Sequence, residues 1–298
     1  MNSAAGLDSV STGPAFLIVD DNPRVLTSTS LVARQLGARV FEAATGADAL
    51  AIARAERLDL ALVDNRLPDA SGLGVGKTLR AERLPVPWIL YSGMLESVVA
   101  HAAGCAGALR TEQMPFDVPG VLDEALKRIH AKWPPLPIRP QLRTTFYSVV
   151  EELACLIWLA CESSDDVKTI RDWADPLKIG YSTLRGLCDR AGMNAESAKN
   201  FARILRALVK SNGRVADVRF HLRYGDDRTV HPLLERAGLS APRTPERVTL
   251  EQYLVLQQFI GDSGPILPAL RRVLETPTCG FTELRGLPTG TNPLSWMS

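Results

Sequence analysis

Two apolar runs in this 298-residue chain end in carboxylates. Phe16-Leu17-Ile18-Val19 leads into Asp20-Asp21-Asn22, and Leu60-Ala61-Leu62-Val63 leads into Asp64, with Pro68 and Gly72 at fixed offsets behind it. Strands of a parallel sheet are covered on both faces and read as continuous apolar runs, and ligand sites in such sheets gather outside the carboxyl ends of the strands. The two runs therefore predict three acids converging on one edge of a sheet, where three carboxylates make a site for a hard divalent cation.

Such a site needs a sheet to hold it. From residue 16 to about 131, apolar runs at 16–20, 38–43, 59–64, 86–91 and 106–110 alternate with helical patterns at 23–36, 46–56, 72–83, 95–103 and 117–130. Five short strand–helix pairs predict an α/β, doubly wound, five-stranded parallel sheet with helices on both faces, spanning 15–131. Pro23 suits the first turn of a helix, where its missing N–H costs nothing, and Gly37 suits the position just past the end. The segment Lys132-Trp133-Pro134-Pro135-Leu136-Pro137-Ile138-Arg139-Pro140 is too rich in proline for a helix or a central strand, so 132–141 reads as a semi-rigid linker. Beyond it the pattern is all-α: a long helix near 143–162, then helices at 167–175, 181–191, 195–211, 214–223 and 227–237. Asn194 serves as N-cap and Gly213 as terminator of the 195–211 helix. These make a second domain, 142–240, followed by an extension, 241–298, with helices at 248–260 and 265–275 and a mobile Gly/Pro/Thr-rich tail.

Charge divides along the same line. The net charge is +1, but residues 1–130 hold 12 Lys and Arg against 15 Asp and Glu, whereas 167–240 hold 14 against 8. That asymmetry predicts an anionic partner for the second half. The five cysteines, Cys105, Cys155, Cys161, Cys188 and Cys279, are odd in number and widely spaced, without a metal-binding spacing, and predict reduced thiols in a cytoplasmic protein. The first residues have neither the basic start nor the apolar stretch of a signal peptide. The run Leu153 to Cys161 is about half the ~20 residues of a membrane helix, so it predicts a buried helix face or a dimer contact rather than a membrane partner.

On these residues, 15–131 resembles a receiver domain of two-component response regulators. Asp20 and Asp21 match the acidic pair after the first strand, Asp64 the phospho-accepting aspartate, and Ser92 the hydroxyl residue after the fourth strand. The resemblance implies Mg²⁺ held by Asp21, Asp64 and the backbone carbonyl of Arg66, with Asp20 assisting. It also implies phosphorylation of Asp64 by a sensor histidine kinase or a phosphotransfer protein. Chemically, Mg²⁺ takes a few carboxylates plus phosphate oxygens, and a carboxylate can attack a phosphohistidine once the gathering negative charge is neutralised. Two switch positions depart from the family. Met114 stands before Pro115 where receivers carry lysine, and Thr111 stands where an aromatic residue is usual. An uncharged thioether cannot pair with a phosphoryl oxygen, so impaired coupling from phosphate to the rest of the domain is expected.

Ser71-Gly72-Leu73-Gly74-Val75-Gly76-Lys77-Thr78 ends like a phosphate-binding P-loop. Ser71 stands where that motif needs glycine, however, so the glycines are expected to serve close packing of a helix start instead. In the second half, 167–192 predicts two short helices joined by a tight turn near Lys178–Gly180. Leu184, Leu187 and Cys188 would face inward, with Tyr181, Ser182, Arg185, Asp189 and Arg190 outward. That is the layout of a helix-turn-helix. The segment resembles an AraC-type DNA-binding domain, with 194–212 as the connecting helix, rich in Lys199, Arg203, Arg206 and Lys210. The second unit would carry Arg228, Thr229, His231 and Arg236, although Pro232 interrupts its recognition helix. Candidate DNA contacts are Tyr181, Ser182, Arg185, Arg190, Arg228, Thr229 and Arg236. The expected protein is a dimeric, cytoplasmic, DNA-binding response regulator and not an enzyme. The alternative is a receiver-like adaptor that works through protein contacts without DNA.

Overall fold

The computed structural model describes residues 13–130, 148–161, 163–222, 227–240, 244–260 and 266–275; the side chains of 227–229, 274 and 275 lie outside this description. The described residues form two compact units, one running to residue 130 and including Thr249–Leu256, the other holding the remainder.

The first unit is a five-stranded parallel sheet of order β2-β1-β3-β4-β5, built from β1 (Ala15–Val19), β2 (Arg39–Ala43), β3 (Leu60–Asp64), β4 (Trp88–Ser92) and β5 (Arg110–Gln113). Between and after them come α1 (Pro23–Gln35), α2 (Gly46–Ala55), α3 (Gly72–Ala81), α4 (Ser97–Cys105) and α5 (Val118–Ile129). This is the doubly wound sheet that the alternation predicted. Side chains of a strand point alternately to the two faces, and the buried clusters follow that period. Leu17, Val19, Ala61, Val63, Trp88 and Leu90 meet residues of α2, α3 and α4, whereas Phe16, Ile18, Leu60, Leu62, Ile89 and Tyr91 meet residues of α1 and α5.

The last strand lies further along the chain than expected. Residues 106–109 were predicted as strand because they are apolar, but they close α4 instead: Gly107 N–H donates to Gly104 O and Ala108 N–H to Ala103 O. Ala106, Ala108 and Leu109 are buried in this turn, and pairing with β4 begins at Arg110. The strand itself is polar because it is an edge, exposed along one side.

The glycines that imitate a P-loop are explained by packing. A Cβ on Gly72 would lie 2.3 Å from the carbonyl oxygen of Asp64, and one on Gly76 would lie 2.2 Å from the indole of Trp88. Gly72 thus lets α3 start directly against the end of β3, and Gly76 makes room for a buried tryptophan ring.

The second unit is all helical. It comprises α6 (Val149–Ala160), α7 (Ile170–Ala174), a 3₁₀ turn (Asp175–Leu177), α8 (Tyr181–Arg190), α9 (Ala195–Lys210), α10 (Val215–His221), α11 (Asp227–Arg236) and α13 (Ile266–Glu275); α12 (Leu250–Leu256) groups with the first unit. Residues 143–147 of the expected long helix lie outside the described residues. The apolar run from Leu153 is a buried helix face, and no helix among the described residues is long and apolar enough to cross a membrane. At the centre is α9, packed against α6, α7, α8 and α10. Asn194 caps it, its side-chain oxygen accepting from Glu196 N–H at 2.9 Å and Ser197 N–H at 3.2 Å.

Three of the four basic side chains of this helix turn away from solvent. Lys199, Arg203 and Arg206 are all buried. Arg203 forms a two-point ion pair with Asp166, its Nε at 2.7 Å, and each side chain of the pair is 1% exposed. Arg206 donates to the carbonyls of Ser163, Ser164 and His221, and Lys210 to that of Ser163 at 2.5 Å. The loop after α6 leaves its carbonyls without secondary-structure partners, and long basic side chains are donors able to reach them.

Candidate functional site

The acids predicted to converge do sit at the carboxyl edge of the first sheet. Asp64 ends β3 and is half-buried, while Asp20 and Asp21 follow β1 directly, the first buried and the second exposed. The backbone around them is pinned. Asn22 caps α1 by accepting from Arg24 N–H at 3.0 Å, and Ser71 caps α3 by accepting from Gly74 N–H at 3.0 Å. Asp69 reaches back to the start of α2, accepting from Gly46 N–H at 2.8 Å and Ala47 N–H at 2.9 Å. The loop behind Asp64 is therefore tied at both ends to helix N-termini, where carboxylates and hydroxyls are favoured.

The electrostatics follow from crowding. Burial pushes the Asp64 carboxyl up to about 6, and the negative charges of Asp20 and Asp21 push the same way, against the N–H groups of Arg66 and Asn65 that favour its ionised form. Arg66 N–H donates to Asp64 Oδ2 at 3.0 Å. Because the native pKa lies above the unfolded value, the folded metal-free protein keeps a proton on Asp64 in a pH range where the unfolded chain has lost it. Asp64 thus lowers stability as pH rises from about 4 to about 6. Urea unfolding in EDTA, compared between the natural chain and Asp64→Asn, is expected to show this: the variant gains relative stability across the window and keeps the gain above it. Parallel curves would contradict the shift.

Three carboxylates were predicted to form the cation site, but among the described residues no three acidic, histidine or cysteine groups gather closely enough to hold a metal by themselves. Asp20 has hydrogen-bond partners of its own. Its Oδ1 accepts from Asn22 N–H at 2.8 Å and its Oδ2 from the Tyr91 hydroxyl at 2.5 Å, so both oxygens are engaged within the protein. What remains is Asp21, Asp64 and the carbonyl of Arg66. That set still suits Mg²⁺, which binds one or two carboxylates and completes its octahedron with water and phosphate oxygens.

Tyr91 belongs to none of the acidic motifs of the sequence. It lies opposite Asp64 in the β3–β4 register and is 2% exposed. A tyrosine inside the apolar run Trp88-Ile89-Leu90-Tyr91 was the available signal, because a buried phenol must find a hydrogen-bond partner. Ser92 is fully buried, with Met94 N–H 3.4 Å from its Oγ, and its carbonyl accepts from Met114 N–H at 2.9 Å. Thr111 sits on β5 opposite Leu90. Met114 packs against the apolar cluster on the α1 and α5 face.

In the second unit α7, the 3₁₀ turn and α8 are joined through Lys178 in the left-handed region, φ 56°. Leu184, Leu187 and Cys188 are buried; Tyr181, Ser182, Arg185, Asp189 and Arg190 are exposed. Tyr181 is 43% exposed, and Arg185 Nη1 lies 3.5 Å from its hydroxyl. Gly180 precedes α8 without a side-chain cap. Arg236, at the end of α11, lies over the ring of Phe259 at 5.0 Å, and α11 continues through Pro232. The side chains of Arg228 and Thr229 lie outside the described residues.

Residues 16–136 match the response regulator receiver domain, and this stretch is a receiver domain. The chain is similar to the probable transcriptional regulatory protein TcrX of Mycobacterium tuberculosis, 32% identical over 142 residues, which are 47% of this chain and 55% of that protein. Among solved structures it is similar to a CheY-like receiver domain from Methanospirillum hungatei, with 27% identity, TM-score 0.38, and 40% of this chain and 94% of that one covered. A receiver domain of a Pseudomonas aeruginosa sensor histidine kinase, solved with a magnesium ion in its active site cleft, is 28% identical at TM-score 0.36, covering 40% of this chain and 99% of that one. The chain spans about half the length of the first transcriptional regulators it matches.

Proposed function

We propose that this chain is a response regulator in which Asp64 takes a phosphoryl group from a sensor histidine kinase or a phosphotransfer protein, and in which the helical part binds DNA, as a homodimer, to regulate transcription. The observation that carries this reading is the meeting of Asp20, Asp21 and a half-buried Asp64 at one edge of a receiver-type sheet. In phosphotransfer an Asp64 oxygen bonds to phosphorus as the P–N bond to the donor imidazole breaks. With its pKa at about 6, Asp64 is ionised and nucleophilic at neutral pH. Asp21, Asp64 and the Arg66 carbonyl would hold Mg²⁺, whose contribution is positive charge beside the phosphoryl oxygens. Met114, packed among apolar side chains, supplies no cation there.

The DNA half of the proposal is supported by the exposed polar face of α8 behind a tight turn and by the transcriptional regulators among the relatives. Tyr181, Ser182, Arg185 and Arg190 would meet the duplex. One observation favours an adaptor instead: burial of Lys199, Arg203 and Arg206 removes cations from the surface that the charge count had credited to it. Selection from random DNA with the full chain separates the two. A regulator yields a selected sequence, and Arg185→Ala weakens binding about 10-fold or more, the loss expected of a base-contacting arginine. Its affinity falls steeply with salt through counterion release. An adaptor selects nothing, and Arg185→Ala then changes no DNA affinity.

A further inference from the structure

Tyr91 connects two parts of the receiver unit. Its hydroxyl lies 2.5 Å from Asp20 Oδ2 and 3.2 Å from the Val19 carbonyl. A phenol carries one proton, and the carboxylate, nearer and charged, takes it as acceptor. At the other end the ring packs on Phe116, centroids 5.8 Å apart and planes at 59°, in the cluster that also receives Met114. The Tyr91 carbonyl accepts from Asn65 N–H at 2.8 Å, which also fixes the residue after Asp64. One side chain and its backbone thus reach an acid of the pocket, the segment bearing the phospho-acceptor, and the approach to α5.

Asp20 is 4% exposed, so an oxygen deprived of its donor has little water to turn to. With the hydroxyl in place, Asp20 is held by two donors; without it, the carboxylate loses its fixed orientation. We propose that Tyr91 is a positioning residue of the acidic pocket: it fixes Asp20 behind the cation position, leaves Asp21 and Asp64 as the direct ligands, and ties that arrangement to Phe116. This rests on the reading of the pocket as a Mg²⁺ site.

The test uses the full chain and Mg²⁺ alone, by titration calorimetry. Tyr91→Phe is expected to weaken Mg²⁺ about tenfold or more, the loss that follows from removing a hydrogen bond to a charged group. Added to Asp20→Asn, the same change should cost less than about twofold, because the interaction it breaks is already altered. In NMR spectra the Phe116 amide should shift on Mg²⁺ saturation in the natural chain and stay still in Tyr91→Phe. Equal affinity of Tyr91→Phe and the natural chain, an equal loss in both backgrounds, or a Phe116 shift that survives the substitution would overturn the proposal. If Tyr91→Phe fails to fold, the Cζ resonance of Tyr91 in the natural chain, which reports its hydrogen bond, must move on Mg²⁺ saturation; a fixed resonance overturns the proposal equally. Failure of the natural chain to bind Mg²⁺ has a different meaning, since it overturns the reading of the pocket itself.

Discussion

Asp64→Asn is expected to leave the chain unable to acquire acid-labile phosphate from acetyl phosphate or from a histidine kinase, while the purified protein unfolds at higher urea than the natural chain at neutral pH. The first effect is chemical. An amide oxygen is a poor nucleophile, and no other acid takes its place: Asp20 is bonded to Tyr91 and Asn22, and Asp21 precedes α1 rather than ending β3. The loss should therefore be total within detection, in contrast to the partial losses typical of residues that only position a reactant. The second effect is electrostatic. The asparagine carries no charge to be buried or repelled by Asp20 and Asp21, the causes that raise the Asp64 pKa. A gain in stability that accompanies loss of function is the signature of a site held in an unfavourable state for chemistry. Phosphate retained by the variant on another residue would refute the assignment of Asp64.

Arg203→Ala is the second large effect, in the other unit. It is expected to cost about 3–5 kcal/mol, the penalty for leaving one member of a buried pair behind. Asp166 would remain in a site where its side chain is 1% exposed, and the Leu222 carbonyl would lose a donor. Urea unfolding followed by hydrogen exchange of α7, α8 and α9 reads the loss in the correct unit. A double replacement of Asp166 and Arg203 by Leu and Met should recover most of it, because an apolar pair removes both charges from the interior. Arg34→Ala, which breaks an exposed pair with Glu42, is the contrasting case, at about 0–1 kcal/mol. If Arg203→Ala costs no more than Arg34→Ala, the buried pair does not hold the unit together.

Much of the receiver fold was legible because its signals are local. Alternating apolar runs, Pro23 at a helix start and Asp at two strand ends each follow from a few neighbouring residues, and the strand order and alternating faces agree with them. Errors came where a long-range contact decides. Ala106–Leu109 read as strand by apolarity, although backbone bonds to α4 make it a helix end. Asp20 read as one of three converging carboxylates by position, while its bond to a tyrosine 71 residues away left no local trace. The cations of α9 were counted by composition toward an anionic partner, whereas the groups that hold Arg203, Arg206 and Lys210, namely Asp166 and the carbonyls of 163 and 164, lie 37 to 47 residues away. Periodicity reports which face of an element is apolar; it does not report which charged side chain finds a partner inside.

The basic side chains of α9 also govern how the second unit can come apart. Arg206 bonds the loop after α6 on one side and the end of α10 on the other, Lys210 bonds the same loop, and Arg203 holds both Asp166 and Leu222. A loop fastened this way cannot fray by itself, because its release exposes guanidinium groups in the interior at the same moment. The segment 163–169 and the end of α10 should therefore exchange their amide hydrogens together with α9, as one cooperative unit rather than as independent surface loops. Three cations that composition assigned to an outside partner are, mechanically, the rivets of a single foldon.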